Sequence, residues 1–560
     1  MNTNKSDSSN ELKIDIKPFG PSQETIIKKS ELVVKDKLVK NYLDGTRNRL
    51  LWFEFIDPDD EYSKNRNENS PPNHFRITFY DYTNNRTIFV KGILEEQDKP
   101  KIVNIEESNL QPLPNNEEFQ EALQIFNQNK KNIDSFANEQ IQIYPPMPPL
   151  LNKELPDGTI QRTINLGLIA SNKDSNRDSN QSLLQLHEIV GINMIDQTIV
   201  RYENRAPSNS LASGSTCGLP YADQPTASGI AGQVWVTVKQ GNTTIWKFLA
   251  VRPAASSGTN GSGIELRYVD YRGKRVLYRA HVPILNVKYN ERPSGERTCG
   301  PYRDWQNEEG MIQADGTDVG SSGFRLCSSP ATTILDTGSD SGNFLGVAIY
   351  VKGQEVILVS EMEASWYRYI SEWRLHANGT ISPRFGFTAV NTSSCVCNTH
   401  HHHAFWRFDF DIHTASNNRV REYNDPPLSG SSKWHTIKYE TKRFRDPSRK
   451  RKWRIEHIDR DKGYDIVPGS DDGIATSSPD WPFPRGDLWF LRYRGTEIDD
   501  GSIATGPPHE AELHRFINGE SLKGKDVVVW YGGHFTHDVN SEPAGSHGHV
   551  VGPKLVPVNW

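Results

Sequence analysis

The sequence predicts a mainly β protein whose larger part is an antiparallel sandwich, and three observations point there. Short alternating strands are predicted over Gln233–Val238, Thr244–Val251, Ile264–Tyr268, Arg275–His281, Gly346–Val351, Glu355–Ser360 and Val527–Trp530. Clusters of Gly, Ser, Asn, Asp and Pro separate them, and no helix-period segment of comparable length intervenes. Aromatic residues reach 10% (13 Trp, 20 Tyr, 22 Phe) although only 35% of the chain is hydrophobic, so the core is aromatic and β-rich.

In chain order, residues 1–28 are rich in Asn, Ser, Asp and Lys and read as a disordered tail. Residues 29–150 read as a small α+β domain. Ser30–Asn41 is short and amphipathic, and Leu50–Ile56 reads as a strand. His74–Tyr82 and Thr87–Ile93 alternate around an Asn84-Asn85 turn, and Asn116–Asn127 has helical periodicity. Tyr144-Pro145-Pro146-Met147-Pro148-Pro149 favours a stiff extended linker. Residues 151–560 then form the large β domain, with low-complexity loops at Ser171–Asn180 and Ser208–Ser215 and no internal repeat.

Composition narrows the function. The 64 Lys and Arg against 70 Asp and Glu give a formal charge of −6, so no global basic field argues for nucleic acid. Five cysteines are too few for a disulfide scaffold. No run of about 18 apolar residues could span a bilayer, and the first residues lack an apolar targeting core. A soluble cytoplasmic protein without a membrane partner is expected.

The stretch Cys395–Asp411 carries the chemistry. Four consecutive histidines, His400 to His403, head a segment whose Phe405, Trp406, Phe408 and Phe410 alternate with Arg407, Asp409 and Asp411. Side chains of a strand alternate between its faces, so His400 and His402 share one face and His401 and His403 the other. Two convergent imidazoles on a rigid strand make half of a metal site. The bland alternative is a self-satisfied histidine run. Copper suits imidazole donors with open positions, and zinc is the rival, since three His and a water also serve catalytic zinc. Cys395 and Cys397 would sit opposite His400 and His402, or be buried or turn cysteines unconnected with the metal.

His400-x-His402 followed by Arg407 and Asp409 resembles the copper-binding strand of the copper-containing amine oxidases. Val527-Val528-Val529-Trp530-Tyr531-Gly532-Gly533-His534-Phe535-Thr536-His537 is similar to that family's last core strand, which makes His537 the third copper ligand. Val276-Leu277-Tyr278-Arg279 resembles the approach to its active site, where Tyr289 and Asp304 take the places of the active-site tyrosine and the catalytic aspartate. Leu326-Cys327 through Ile334-Leu335-Asp336 also resembles a family segment. The resemblance implies a β-sandwich catalytic domain, a homodimer, and more than one small α+β domain before it. It also implies a calcium-like ion held by Asp409, Asp526 and the carbonyl of Phe410, apart from the copper; the alternative is that the two aspartates are surface charges on strand ends.

In the family, a tyrosine between Asn and Asp or Glu becomes topaquinone. The register set by Tyr369, Trp373 and Asn378-Gly379-Thr380 places Tyr367 there, but between Trp366 and Arg368. An arginine where a carboxylate is expected inverts the local charge, and Arg303 beside Asp304 is a second departure. The alternative for Tyr367 is an ordinary strand aromatic. His534, His547 and His549 read as second-layer or surface residues. Three functions follow. The first is a primary amine oxidase that turns an amine and dioxygen into aldehyde, ammonia and hydrogen peroxide; Tyr367 is the quinone precursor, Asp304 the base and Tyr289 the orienting residue. The second is a copper enzyme without quinone acting directly on a specialised substrate. The third is a non-catalytic binding protein, against which the metal triad and Asp304 argue.

Overall fold

In the computed structural model, residues 1–10, 57–63, 65–66, 96–99, 130–139, 145–152, 155–159, 172–184, 202–207, 211–216, 223–226, 229–231, 253–262, 290–307, 391–395, 397–398, 476–485, 496–512 and 539–547 lie outside the described residues, as do 110, 113, 221 and 365. The rest is mainly β, as the sequence predicts. Two large sheets dominate, one of nine strands and one of fifteen. Most of their neighbouring strands run antiparallel, with Phe324–Leu326 and Val347–Lys352 a parallel exception. One apolar core draws on both. Val234, Phe248, Leu266, Trp406 and Phe408 come from the first sheet, and Val347, Leu358, Trp373 and Phe385 from the second. That shared core makes the two sheets a sandwich. Indole donors tie the layers as well: Trp246 Nε1 reaches the His376 carbonyl at 2.9 Å and Trp373 Nε1 the Ile264 carbonyl at 3.3 Å.

At the middle of the nine-stranded sheet lies His400–Phe410, every residue of it buried. It pairs antiparallel with Lys274–Tyr289 on one side and Val527–His537 on the other. An interior strand with both faces covered has nowhere to put a solvated charge, so every polar group on it needs a partner.

Among the described residues, two of the smaller sheets form units of their own beside the sandwich. Asn48–Phe55, His74–Asp81, Arg86–Ile93 and Lys101–Ser108 form the first, covered by the helices Gln23–Val34 and Lys37–Leu43 through Val33, Val39 and Leu43. Gln140–Tyr144 pairs with Thr163–Ser171, which pairs with Gln185–Asn193, giving a second small sheet. The helix Asn116–Asn129 serves it with Ala122, Ile125 and Phe126, a spacing that puts all three on one face. The sheet crosses residue 150, so the boundary expected there falls inside a folded unit. Arg162 fastens these parts: its Nη2 donates to Glu118 Oε2 at 2.6 Å, both side chains are fully buried, and Tyr82 donates to Glu118 Oε1 at 2.7 Å.

The tail expected over residues 1–28 is also corrected. Leu12–Pro18 is a strand paired antiparallel with Gln233–Gln240 along the edge of the nine-stranded sheet, and Ser22 caps the helix that follows by accepting from Thr25 N. No helix among the described residues is long and apolar enough to cross a membrane.

Candidate metal centre

The histidine run divides between the two faces of its strand. His400 and His402 point into the sandwich with Trp406 and Phe408, while Phe405 packs on the other side against Trp489 and Trp530. His401 and His403 share that second side. There His401 Nδ1 lies 2.8 Å from Thr536 Oγ1 and His403 Nδ1 2.8 Å from His534 Nδ1. His534 continues to Asp487, Nε2 to Oδ1 3.0 Å, so it belongs to the face away from His400. His549 instead stacks on Phe535 with ring centroids 3.9 Å apart, beside His537 at 5.7 Å. His547 lies outside the described residues.

The register brings three expected residues into one row. Tyr289, His400 and His537 are direct partners across three adjacent strands. The fourth element comes from the other sheet. Tyr367 opens the strand Tyr367–His376 and sends its side chain across the sandwich. Its hydroxyl lies 2.7 Å from His537 Nδ1 and in hydrogen-bonding contact with His400 Nε2. The two ring nitrogens are themselves 3.2 Å apart. Since a phenol has one proton, it donates to one imidazole and accepts the N–H of the other. His402 stands edge-on to the same ring, centroids 4.6 Å apart.

All four side chains are sealed from water, at 2% exposure or less. Burial, together with the neighbouring His400, His537, His403 and His549, holds His402 well below the usual histidine range, so it is neutral. Both of its ring nitrogens are buried without a hydrogen-bond partner among the described residues. A buried polar group without a partner calls for an explanation, and an ion bound there is one of them. Three imidazoles, one of them with both nitrogens orphaned, fit copper as a donor set. The rings do not yet converge: among the described residues, the group of three acidic, histidine or cysteine side chains whose ligand atoms lie within 4.8 Å of one another is Asp409, Asp411 and Asp526.

The flanks of Tyr367 are accounted for locally. Trp366 is buried in the sandwich core. Arg368 is fully buried and turned to Asp340, with Nε to Oδ1 2.8 Å and Nη2 to Oδ2 2.9 Å. Its Nη1 also donates to the Tyr367 carbonyl at 3.1 Å. The charge inversion expected at Arg368 is therefore met by Asp340, 28 positions upstream, a partner that no local pattern marks.

Asp409 and Asp526 do come together, joined by Asp411, but around an ammonium. Lys64 Nζ lies 2.8 Å from Asp409, 2.6 Å from Asp411 and 2.9 Å from Asp526. Phe410, expected to lend a carbonyl, pairs with Leu277 and Val527 within the sheet. Calcium binds oxygens at about 2.3–2.6 Å, so it cannot share this space with the amine, and the residues present do not fit the ion. The sequence missed Asp411, although its spacing of two from Asp409 places it on the same face, and Lys64, which no pattern marks. Asp304, Arg303, Cys395 and Cys397 lie outside the described residues. Cys217 is disulfide-bonded, while Cys327 is free and buried.

Residues 346–560 match the family model for the copper amine oxidase enzyme domain. Over nearly its whole length the chain is similar in fold to three solved structures. A copper-containing benzylamine oxidase from Hansenula polymorpha superposes with a TM-score of 0.59 at 12% identity, covering 94% of this chain and 96% of that one. Lysyl oxidase from Pichia pastoris gives 0.57 at 12% identity, with 96% and 89% covered. An amine oxidase from Aspergillus nidulans gives 0.54 at 13% identity, with 97% and 88% covered. No curated protein matches the sequence.

Proposed function

We propose, for a chain whose residues 346–560 match the copper amine oxidase enzyme domain and whose fold is similar to that of solved amine oxidases, that it oxidises a primary amine with dioxygen and water to an aldehyde, ammonia and hydrogen peroxide. The observation that carries this reading is the position of Tyr367, its hydroxyl between His400 and His537 at the inner face of the sandwich. His400, His402 and His537 would hold copper, and Tyr367 is the precursor of the quinone. Bound there, the metal would supply the one-electron chemistry that a phenol and dioxygen require, and the quinone an electron-accepting carbonyl for the amine.

The chain's own residues supply the setting. Burial keeps His402 neutral, with its lone pair available to a metal. The hydroxyl's two hydrogen bonds, one donated and one accepted between His400 and His537, fix the phenol and give its proton a place to go. Burial keeps bulk solvent away from the Tyr367 ring and the three imidazoles. Arg368, neutralised by Asp340, fixes the backbone carbonyl of Tyr367 without presenting net charge to its ring. Asp304 is assigned as the base that removes the amine's α-proton, and Tyr289, paired with His400 in the sheet, as the residue that orients the cofactor. Homodimerisation remains part of the proposal. The calcium-like ion does not, because Lys64 stands among its carboxylates.

The test is aerobic copper loading followed by intact mass, visible absorption and hydrazine trapping. Added mass on the Tyr367 peptide, a visible band and a trapped adduct are expected, and Tyr367→Phe loses all three. If copper binds while Tyr367 stays an unmodified tyrosine, the second reading takes over: a copper enzyme without quinone, which the unusual flanks Trp366 and Arg368 favour.

A further inference from the structure

Three carboxylates meet on the side of the His400–Phe410 strand that faces away from the candidate copper ligands. Asp409 is fully buried and Asp411 nearly so; Asp526, just before the Val527–His537 strand, is 17% exposed. Such a cluster asks for a cation, because three buried negative charges repel one another and cannot be solvated. The chain brings one of its own. Lys64 belongs to the segment between the strands Asn48–Phe55 and His74–Asp81 of the first small sheet, 345 residues away in sequence from Asp409.

We infer that the ammonium of Lys64 is the permanent cation of the Asp409, Asp411 and Asp526 site, standing where a divalent metal would otherwise bind and fastening the small N-terminal sheet to the catalytic sandwich. Its geometry is that of a coordinated ion. Three oxygens from three residues lie within 2.9 Å of Nζ, which uses all three of its N–H donors. The faces of Tyr278 and Tyr493 lie 4.5 and 4.6 Å from the nitrogen and close the remaining sides. Lys64 itself is 9% exposed.

A further cation faces the cluster: Arg407 Nη2 is 3.6 Å from Asp409 Oδ2. Burial pushes the acids at Asp526 and Asp411 up, against the opposing charge of Lys64. Burial alone would lower Lys64, but Asp409, Asp411 and Asp526 outweigh it and hold the amine well above its usual range, so it stays charged. A second ionic contact docks the same segment: Glu68 meets Arg275 through two 2.7 Å hydrogen bonds, and Arg275 acts on Asp411.

The experiment uses the full-length protein and calcium, with terbium luminescence as a second probe. Wild type is expected to bind no calcium that Asp526→Asn removes. Lys64→Ala is expected to gain one calcium per chain, lost again when Asp526→Asn is added. In wild type, amine acylation read by mass spectrometry should modify Lys64 at least ~10-fold more slowly than exposed Lys17, since only the free base reacts and each unit of raised pKa removes ~10-fold of it. Calcium bound by wild type and lost with Asp526→Asn, no gain of calcium in Lys64→Ala, or Lys64 as reactive as Lys17 would each overturn the inference. If Lys64→Ala does not fold, the two wild-type measurements still decide it.

Discussion

Tyr367 and His537, 170 residues apart in sequence and on opposite sheets of the sandwich, meet at 2.7 Å between hydroxyl and ring nitrogen. The phenol and the candidate metal ligands are thus held by two separate layers, and either can be altered without dismantling the other.

His402 gives the first prediction. Its ring nitrogens have no hydrogen-bond partner among the described residues, so His402→Ala removes a proposed ligand and breaks no hydrogen bond to them. Copper per chain, measured by metal analysis after dialysis, should fall from about one to near zero while the thermal transition of the metal-free protein moves little, a cavity cost of about 1–3 kcal/mol being partly offset by relief of a buried unsatisfied ring. Unchanged copper would remove His402 from the site.

Asp304→Asn separates cofactor from catalysis. An amide cannot accept the α-proton, and losing a general base costs typically 10²–10⁴-fold. Copper content and any visible band should persist while amine turnover, followed by peroxide release, drops by about that factor. Full turnover would take Asp304 out of the mechanism.

The Arg368–Asp340 pair is a stability element. Arg368→Met strands a buried carboxylate and should cost about 3–5 kcal/mol in chemical denaturation. Adding Asp340→Asn should recover much of that loss, because the stranded charge goes with it. Additive losses would mean the two residues do not act as a pair.

Glu361 predicts a pH dependence. Burial, against the opposing hydrogen bond from Ile334 N and the charge of Arg368, pushes its carboxyl from 4.5 up to about 7. The folded state therefore binds a proton that the unfolded chain releases, so its stabilisation is complete below about pH 4.5 and fades as pH rises through 7. Glu361→Gln keeps the acceptor for Ile334 and has no proton to lose. It should be the more stable protein at pH 8 by on the order of 3 kcal/mol, with the difference vanishing near pH 5. A constant difference across that range would exclude titration as the cause.

What the sequence shows and hides follows from range. Period-two alternation is local, and it correctly parted His400 and His402 from His401 and His403 before any partner was known. The strong strand signal after His403 likewise holds, because aromatic and charged residues alternate from Trp406 to Asp411, six positions. Lys64 sits in a polar segment with no periodicity, and its role comes only from where the small sheet docks. Arg368 looked like an inverted charge because its neighbours in sequence are not its neighbours in space. Leu12 to Lys17 does alternate, apolar with charged, yet the surrounding Asn and Ser residues masked it as tail. The second small sheet was hidden by the prolines at 145–149, which lie between two of its strands rather than after its last.

The strand Leu12–Pro18 also guards the protein against its own kind. A free sheet edge is a template for another chain, and cells of a crowded solution are full of candidates. Laid along the Gln233–Gln240 margin, this segment sets Asp15 beside Thr237 and Lys17 beside Trp235, so the outermost strand carries Lys13, Asp15 and Lys17, charges that a second copy would have to desolvate before it could add on. Removal of the first twenty residues would leave the catalytic centre untouched and expose that margin, and the cost would appear as association and loss of solubility.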